Sequence, residues 1–227
     1  MIAILRRVLR NVAVVGFVTA SGTVTGFLLG DVSRRVSGNR MAPWIIGRAS
    51  GVAAYVMLVA LVLLGLVLSH PGRARVSWPS SATRIRLHVT LAVFTLAFVV
   101  LHVVVLVTDR YAGVGVWGAL APMGASYRPI PVTLGVIGMW SGVLAGMTAA
   151  SAHLIPVRVW WPLHKMAIGS LVLVWLHGVT AGSDTSALRL VYLATGVAVV
   201  LVAFWRYAAR TPRDVAAERA AQLEHAR

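Results

Sequence analysis

The sequence contains no cysteine and few acidic residues. None of its 227 residues is cysteine, so disulfides, iron–sulfur clusters and thiolate metal ligands are excluded. Sites for bare metal ions in transporters and channels usually combine carboxylates or thiolates with imidazole. Here all six acidic residues fall in predicted loops or in the C-terminal tail: Asp31, Asp109, Asp184, Asp214, Glu218 and Glu224. No path for a cation is therefore visible in the apolar segments.

The composition is typical of a membrane protein. Hydrophobic residues make up 59% of the chain and the mean hydropathy is +0.83, against about 45–50% apolar residues in soluble domains. The net charge is +15, and all but one of the 21 basic residues are arginines, Lys165 being the exception. These arginines cluster at the ends of apolar segments, which indicates membrane topology rather than binding to nucleic acid.

Six segments are long enough to cross a bilayer, for which about 20 apolar residues are needed. The sequence therefore predicts an all-α integral membrane protein, a six-helix bundle over residues 1–210 with a short tail over 211–227. An alternative for the first segment is a cleaved signal peptide, but its apolar run continues past the candidate cleavage site, so we expect a retained helix. The predicted segments are 11–30, 43–69, 87–108, 131–152, 159–181 and 190–206.

The arginines also predict the orientation. With a cytoplasmic N-terminus, fourteen basic residues fall on the inner side, six fall on the outer side, and Arg48 lies within the second segment. This excess places both termini in the cytoplasm and predicts a multi-pass protein of the cell membrane, the plasma membrane of a bacterium. The uncharged outer loop over 111–127 is expected to lie against the membrane surface.

Four histidines in two pairs organise the apolar segments. His88 and His102 are 14 residues apart on the third segment, and His164 and His177 are 13 apart on the fifth. Each step spans roughly 20 Å of helix, and both segments run from inside to outside. His88 should then match His164 near the inner face, and His102 should match His177 nearer the outer face. Two such pairs can hold the irons of two stacked haems.

One geometric objection concerns the fifth segment. On a straight helix, 13 residues leave His164 and His177 pointing about 140° apart. A distortion near Gly169, or haems approached from different flanks, is needed. A single histidine in a membrane helix can also have a purely structural role, in which it forms a hydrogen bond to a neighbouring helix.

The histidine spacings resemble a known family. Over roughly residues 47–206 the chain resembles the ferric reductase-like transmembrane domain in three features. These are the spacings His88-x13-His102 and His164-x12-His177 and, at the entry to the fifth segment, the sequence Trp160-Trp161-Pro162-Leu163-His164-Lys165. That domain is shared by NADPH oxidases, ferric reductases and the haem-binding membrane subunit of bacterial methionine sulfoxide reductase. The resemblance implies two haem b groups, with His88 and His164 on the inner iron and His102 and His177 on the outer iron.

The resemblance also implies a function. It predicts an oxidoreductase, or the electron-transfer subunit of one, that passes electrons across the membrane to an outer acceptor. These 227 residues contain no glycine-rich dinucleotide loop, so we expect a separate donor, either a membrane quinol or a flavoprotein. A partner would then supply the quinone or flavin. The rival hypotheses are a histidine-dependent metal-ion transporter and a structural membrane subunit without haem.

Several further residues carry alternatives. Arg48 lies near the depth of the outer haem propionates and could pair with one, or could extend to the outer headgroups. Arg84, Arg86 and Lys165 could serve the inner haem in the same way, although the positive-inside rule already explains them. The other three histidines are expected in solvated loop or tail positions: His70, His153 and His225. Close helix packing is the predicted role of four glycines: Gly135, Gly138, Gly142 and Gly146.

Overall fold

A computed structural model describes residues 39, 41–72, 79–109 and 111–209. The chain divides into two compact units, Met1–Pro43 and Trp44–Arg227, and nearly all the described residues belong to the second. The predicted first segment (11–30) and the tail (211–227) lie outside the described residues.

The described part of the chain is helical and contains no strand. Five helical stretches are long and apolar enough to cross a membrane; α5 and α6 together form one of them, Val157–Ala181. Five of the six predicted segments are thus confirmed as helices, and the chain is a multi-pass membrane protein by their length and composition. The helices are α1 (Ala42–Ser69), α2 (Ser81–Thr108), α3 (Gly115–Leu120), α4 (Pro129–Ala150), α5 (Val157–His164), α6 (Met166–Ala181) and α7 (Arg189–Ala208).

Helix α2 begins six residues earlier than the apolar pattern indicated. Ser80 caps it, because its hydroxyl oxygen accepts a hydrogen bond from the backbone N–H of Thr83 at 3.2 Å. The extra turns are polar and lie before the apolar run, so hydropathy alone does not detect them. As a result Arg84 and Arg86 belong to the helix rather than to the preceding loop.

The fifth predicted segment is interrupted at Lys165. Helix α5 contains Pro162 and ends at His164, and α6 begins at Met166. The backbone N–H of Ile168 donates to the carbonyl of Lys165, three residues back, so the regular four-residue ladder is broken here. The distortion required by the two histidines therefore occurs at Lys165, directly after His164, and not near Gly169, which lies inside α6.

Helix α4 packs along α6 more extensively than any other two described helices pack together. A Cβ placed on Gly138 or Gly142 would lie 3.0 Å from a side-chain atom of α6, and the Ser170 hydroxyl donates to the Gly138 carbonyl at 2.7 Å. Close packing is confirmed for these two glycines. Gly146 has open space beside it, and Gly135 faces His177 instead.

Helices α1, α6 and α7 share the main buried cluster. Tyr55 of α1 lies with its ring centre 5.2 Å from that of Tyr192 of α7, and the Tyr55 hydroxyl is hydrogen-bonded to the Thr195 hydroxyl. The Trp175 indole N–H donates to the Tyr192 carbonyl at 3.0 Å. These bonds fix α1 and α7 on one side of α6.

Helix α3 belongs to a cap at the His102 end of the bundle. The cap comprises residues 111–127, and its buried side packs against α1, α2 and α4 through four small apolar residues: Ala112, Val114, Ala119 and Ala125. Its other side is apolar and exposed, with Tyr111 87% and Trp117 74% accessible. Residues 111–127 carry no charge, which agrees with the expected position against the membrane surface.

Candidate functional site

A cavity of about 1470 Å³ runs through the bundle between α2 and α6. All four predicted histidines line it, together with mainly apolar side chains. In the described part of the chain, α2 and α6 do not pack closely against each other, so the cavity separates them. Its volume exceeds the roughly 300–1,000 Å³ of pockets that hold one drug-sized ligand. There is room for more than one large group.

His88 of α2 and His164 of α5 face each other across this cavity. Their ring centres lie 6.2 Å apart, with the ring planes inclined at 70°. A metal-bound imidazole nitrogen lies about 2 Å from a first-row metal and about 1.1 Å from its own ring centre, so two rings on opposite sides of one metal have centres about 6.3 Å apart. The observed separation fits one metal held between His88 and His164.

His102 of α2 and His177 of α6 form the second pair, towards the capped end. Both side chains line the cavity there. His102 Nδ1 is hydrogen-bonded to the Gly47 carbonyl of α1 at 2.6 Å, and His177 Nδ1 to the Pro131 carbonyl of α4 at 2.8 Å. The structure thus brings His88 and His164 together, and it places His102 and His177 on the lining of the same cavity, while their pairing on one metal stays a prediction.

These hydrogen bonds determine which ring nitrogen is available to a ligand. A carbonyl oxygen can only accept, so Nδ1 of both His102 and His177 must carry the proton. His164 Nδ1 makes the same kind of bond to the Ala145 carbonyl at 3.2 Å. In a neutral imidazole the other nitrogen, Nε2, then has a free lone pair, which is the arrangement of metal-binding histidines. His88 Nδ1 lies near the Leu61 carbonyl but forms no hydrogen bond of normal geometry.

In the part of the chain that the structure describes, no third metal-ligating side chain accompanies either histidine pair. Among the described residues, no group of three or more His, Asp or Glu side chains could hold a metal ion. Each pair offers two imidazoles only. Such a site suits a metal that brings its remaining ligands with it, as haem iron does in its porphyrin.

Arg48 lies at the His102 end of the cavity. It forms an ion pair with Asp184, which lies in the turn between α6 and α7, and its guanidinium is 5.8 Å from the ring centre of Trp44. All three side chains line the cavity. The pairing of Arg48 with Asp184 was not predicted, because the two residues are 136 positions apart and a turn aspartate carries no local signal.

The His88 end of the cavity is lined by cations. Arg84 is 4% exposed, and its Nη2 donates to the Ser81 hydroxyl at 3.0 Å. Lys165 and Arg206 line the cavity at the same end. Within the described residues, the two carboxylates are Asp109 and Asp184, and both lie at the opposite end. Three basic side chains therefore line this end of the cavity.

Aromatic rings surround His164. The ring centres of Trp160 and Trp161 lie 5.7 Å and 6.2 Å from that of His164, and Lys165 Nζ lies 5.7 Å from the centre of the Trp161 ring. Helix α5 thus supplies both a candidate ligand and its aromatic neighbours.

The remaining histidines lie outside the cavity lining where they are described. His153 is exposed in the turn between α4 and α5. His70 is not simply solvated, as expected: its ring stacks on Trp205 of α7 with centres 3.7 Å apart. His225 lies outside the described residues.

Comparison with known proteins gives no match: no family model, no curated protein and no solved structure matches the chain.

Proposed function

We propose that this chain is a bis-haem b-type membrane cytochrome, similar to ferric reductases, that carries electrons across the bilayer. The observation that supports this most strongly is the 6.2 Å separation of the His88 and His164 ring centres, which is compatible with one metal held between two imidazoles. Bound haem would supply a one-electron carrier at each histidine level.

The surrounding residues fit two such groups. His88 and His164 would hold one haem, and His102 and His177 would hold the other, roughly 20 Å away along the helices. The apolar lining would exclude water from both levels. Arg84, buried one helical turn before His88, is placed to neutralise propionates at its level.

Arg48 is the corresponding candidate at the His102 level. Its ion pair with Asp184 holds the guanidinium at the cavity wall, where it would face a propionate. A propionate would share the guanidinium with Asp184 or displace that carboxylate.

The charge distribution supports an orientation of the chain in the membrane. We infer six spans with both termini in the cytoplasm, because fourteen basic residues then lie on the inner side and six on the outer. The His88 level then faces the cytoplasm and the His102 level faces the outside of a bacterial plasma membrane. Electrons would come from a membrane quinol or a separate flavoprotein and reach an acceptor at the outer face.

Electron transfer across vesicles tests this proposal against its rivals. The purified chain is reconstituted into liposomes that contain trapped ferricyanide and a metal-sensitive dye, and a quinol analogue or soluble reductant that does not cross the bilayer is added outside. We expect ferricyanide to be bleached in vesicles with the wild-type chain and not in vesicles with the His102→Ala variant. His153→Ala, which removes an exposed histidine outside the cavity, is the control and should behave as wild type.

The other outcomes identify the rivals. A response of the trapped dye to external metal ions, without bleaching, would indicate a metal-ion transporter. Silence of both reporters in vesicles with folded chain would support a structural subunit and overturn the proposal.

A further inference from the structure

Helix α1 carries no candidate ligand, yet it contacts both histidines of α2 at regular intervals. The Gly47 carbonyl accepts from His102, and the Leu61 carbonyl lies near His88. These acceptors are 14 residues apart (47 to 61), the same step that separates the two histidines (88 to 102). The two helices run antiparallel, so the steps remain in register along their length.

Helix α4 repeats this arrangement for the other two histidines. The Pro131 carbonyl faces His177, and the Ala145 carbonyl faces His164, again 14 residues apart. A helical backbone carbonyl already bonds the N–H four residues on, so it is available to a second donor only where nearby side chains leave room.

A glycine or alanine lies four residues after each residue that supplies one of these carbonyls. Gly51 follows Gly47, Gly65 follows Leu61 and Gly135 follows Pro131, while Ala149 follows Ala145. A Cβ on Gly51 or on Gly135 would lie 2.8 Å from the ring of His102 or His177 respectively. A Cβ on Gly65 would lie 3.2 Å from the ring of His88. Each missing side chain therefore makes the space in which an imidazole lies.

We propose that α1 and α4 act as positioning helices, in which a carbonyl and a small residue four positions later seat each imidazole with Nδ1 towards the backbone and Nε2 in the cavity. This inference rests on the proposed haem function, since it concerns the ligands of that same site. Gly51, Gly65 and Gly135 are positioning residues in this account and touch no reacting atom. At Gly51, Gly65 and Gly135 the nearest atoms that an added Cβ would meet all belong to a histidine ring, whereas Gly138 and Gly142 meet other side chains of α6.

The histidine rings at the two levels are not held equally closely by α1 and α4. At the His102 level both seats contain glycine and both Nδ1 bonds are short, at 2.6 Å and 2.8 Å. At the His88 level, where Ala149 occupies the corresponding position, the bond from His164 Nδ1 to the Ala145 carbonyl is longer, at 3.2 Å. His88 Nδ1 makes no hydrogen bond of normal geometry. Extra bulk at Gly51 or Gly135 should therefore have the larger effect.

Single methyl additions test the proposal. Gly51→Ala and Gly135→Ala are compared with Gly169→Ala, a helical glycine with nothing within 4 Å of its added Cβ and outside the cavity lining. Bound haem is followed by absorbance, electron paramagnetic resonance and potentiometric titration. We expect both test variants to lose the low-spin signal of one haem component, or to shift its midpoint potential, while the other component is unchanged. Gly169→Ala should match wild type.

A second measurement separates displacement of the histidine from direct contact with haem. In haem-free protein labelled with ¹⁵N-histidine, wild type should show His102 and His177 with protonated Nδ1. Gly51→Ala should alter the His102 resonance and leave that of His177 in place, and Gly135→Ala should do the reverse. If a test variant does not fold, Gly65→Ala takes its place, because its 3.2 Å contact can be relieved by a small shift of His88.

The outcomes are distinguishable. Test variants that keep both haem components and the wild-type histidine resonances would overturn this inference while leaving the proposed function intact. A wild-type chain that binds no haem would overturn the proposed function itself, whatever the histidine resonances show.

Discussion

Substitution of one histidine at the His88 level should remove one haem from the protein and leave the other bound. In the proposed function His88 and His164, whose ring centres lie 6.2 Å apart, share one iron, and either alanine substitution would leave that iron short of one ligand. The His102 level is roughly 20 Å away. That exceeds the 7–10 Å within which substitutions usually couple. Haem per chain should therefore fall from about two to about one in His88→Ala, in His164→Ala and in the double variant alike.

Haem extraction and potentiometric titration of the three variants would measure this. The same component should be missing from each, and the double variant should resemble the single ones. His153→Ala is the matched control, since that histidine is exposed in the turn between α4 and α5. We do not choose His70 as the control, because it stacks on Trp205. Loss of different components from His88→Ala and His164→Ala would refute the pairing and the topology on which it depends.

Three further predictions concern electron supply, the ion pair and the cap. The purified chain should not oxidise NADPH until a flavin reductase is added, because its sequence holds no dinucleotide loop; rapid haem reduction by NADPH alone would contradict this. A double-mutant cycle on Arg48 and Asp184, each about one-third exposed, should give a coupling of about 1 kcal/mol or less in thermal unfolding, and a value above about 3 kcal/mol would show a dry, buried pair instead. In this cysteine-free chain, a fluorophore on Trp117→Cys should be quenched by lipid-borne quenchers more strongly than one on Ser186→Cys in the exposed α6–α7 turn; equal quenching would place the cap in water.

The sequence predicted the membrane-spanning helices well because length and apolar composition decide them. It predicted the start of α2 poorly, since the first turns are polar and are fixed by the Ser80 cap rather than by hydropathy. Pro162 was visible in the sequence, but the interruption lies one turn later, at Lys165. This break removes the angular objection to His164 and His177, which rested on a straight helix.

The site was predictable only in part. Spacing and depth predicted that the four histidines act together, and the structure places all four on the lining of one cavity. The backbone carbonyls that orient them could not be identified in this way, since any residue supplies a carbonyl. The available signal was the 14-residue step from Gly51 to Gly65, which matches the step from His88 to His102. The contact between Arg48 and Asp184 depends on the fold alone.

The central claim is that each histidine pair holds one haem iron. The most direct test is to purify the wild-type chain from haem-sufficient cells, quantify haem by the pyridine haemochrome method and record the oxidised protein by electron paramagnetic resonance. The account predicts two haem b groups per chain, which are non-covalent because the chain has no cysteine for attachment. Both should be low-spin, because two imidazoles would bind each iron. A colourless folded protein, or one haem per chain at full loading, would contradict it.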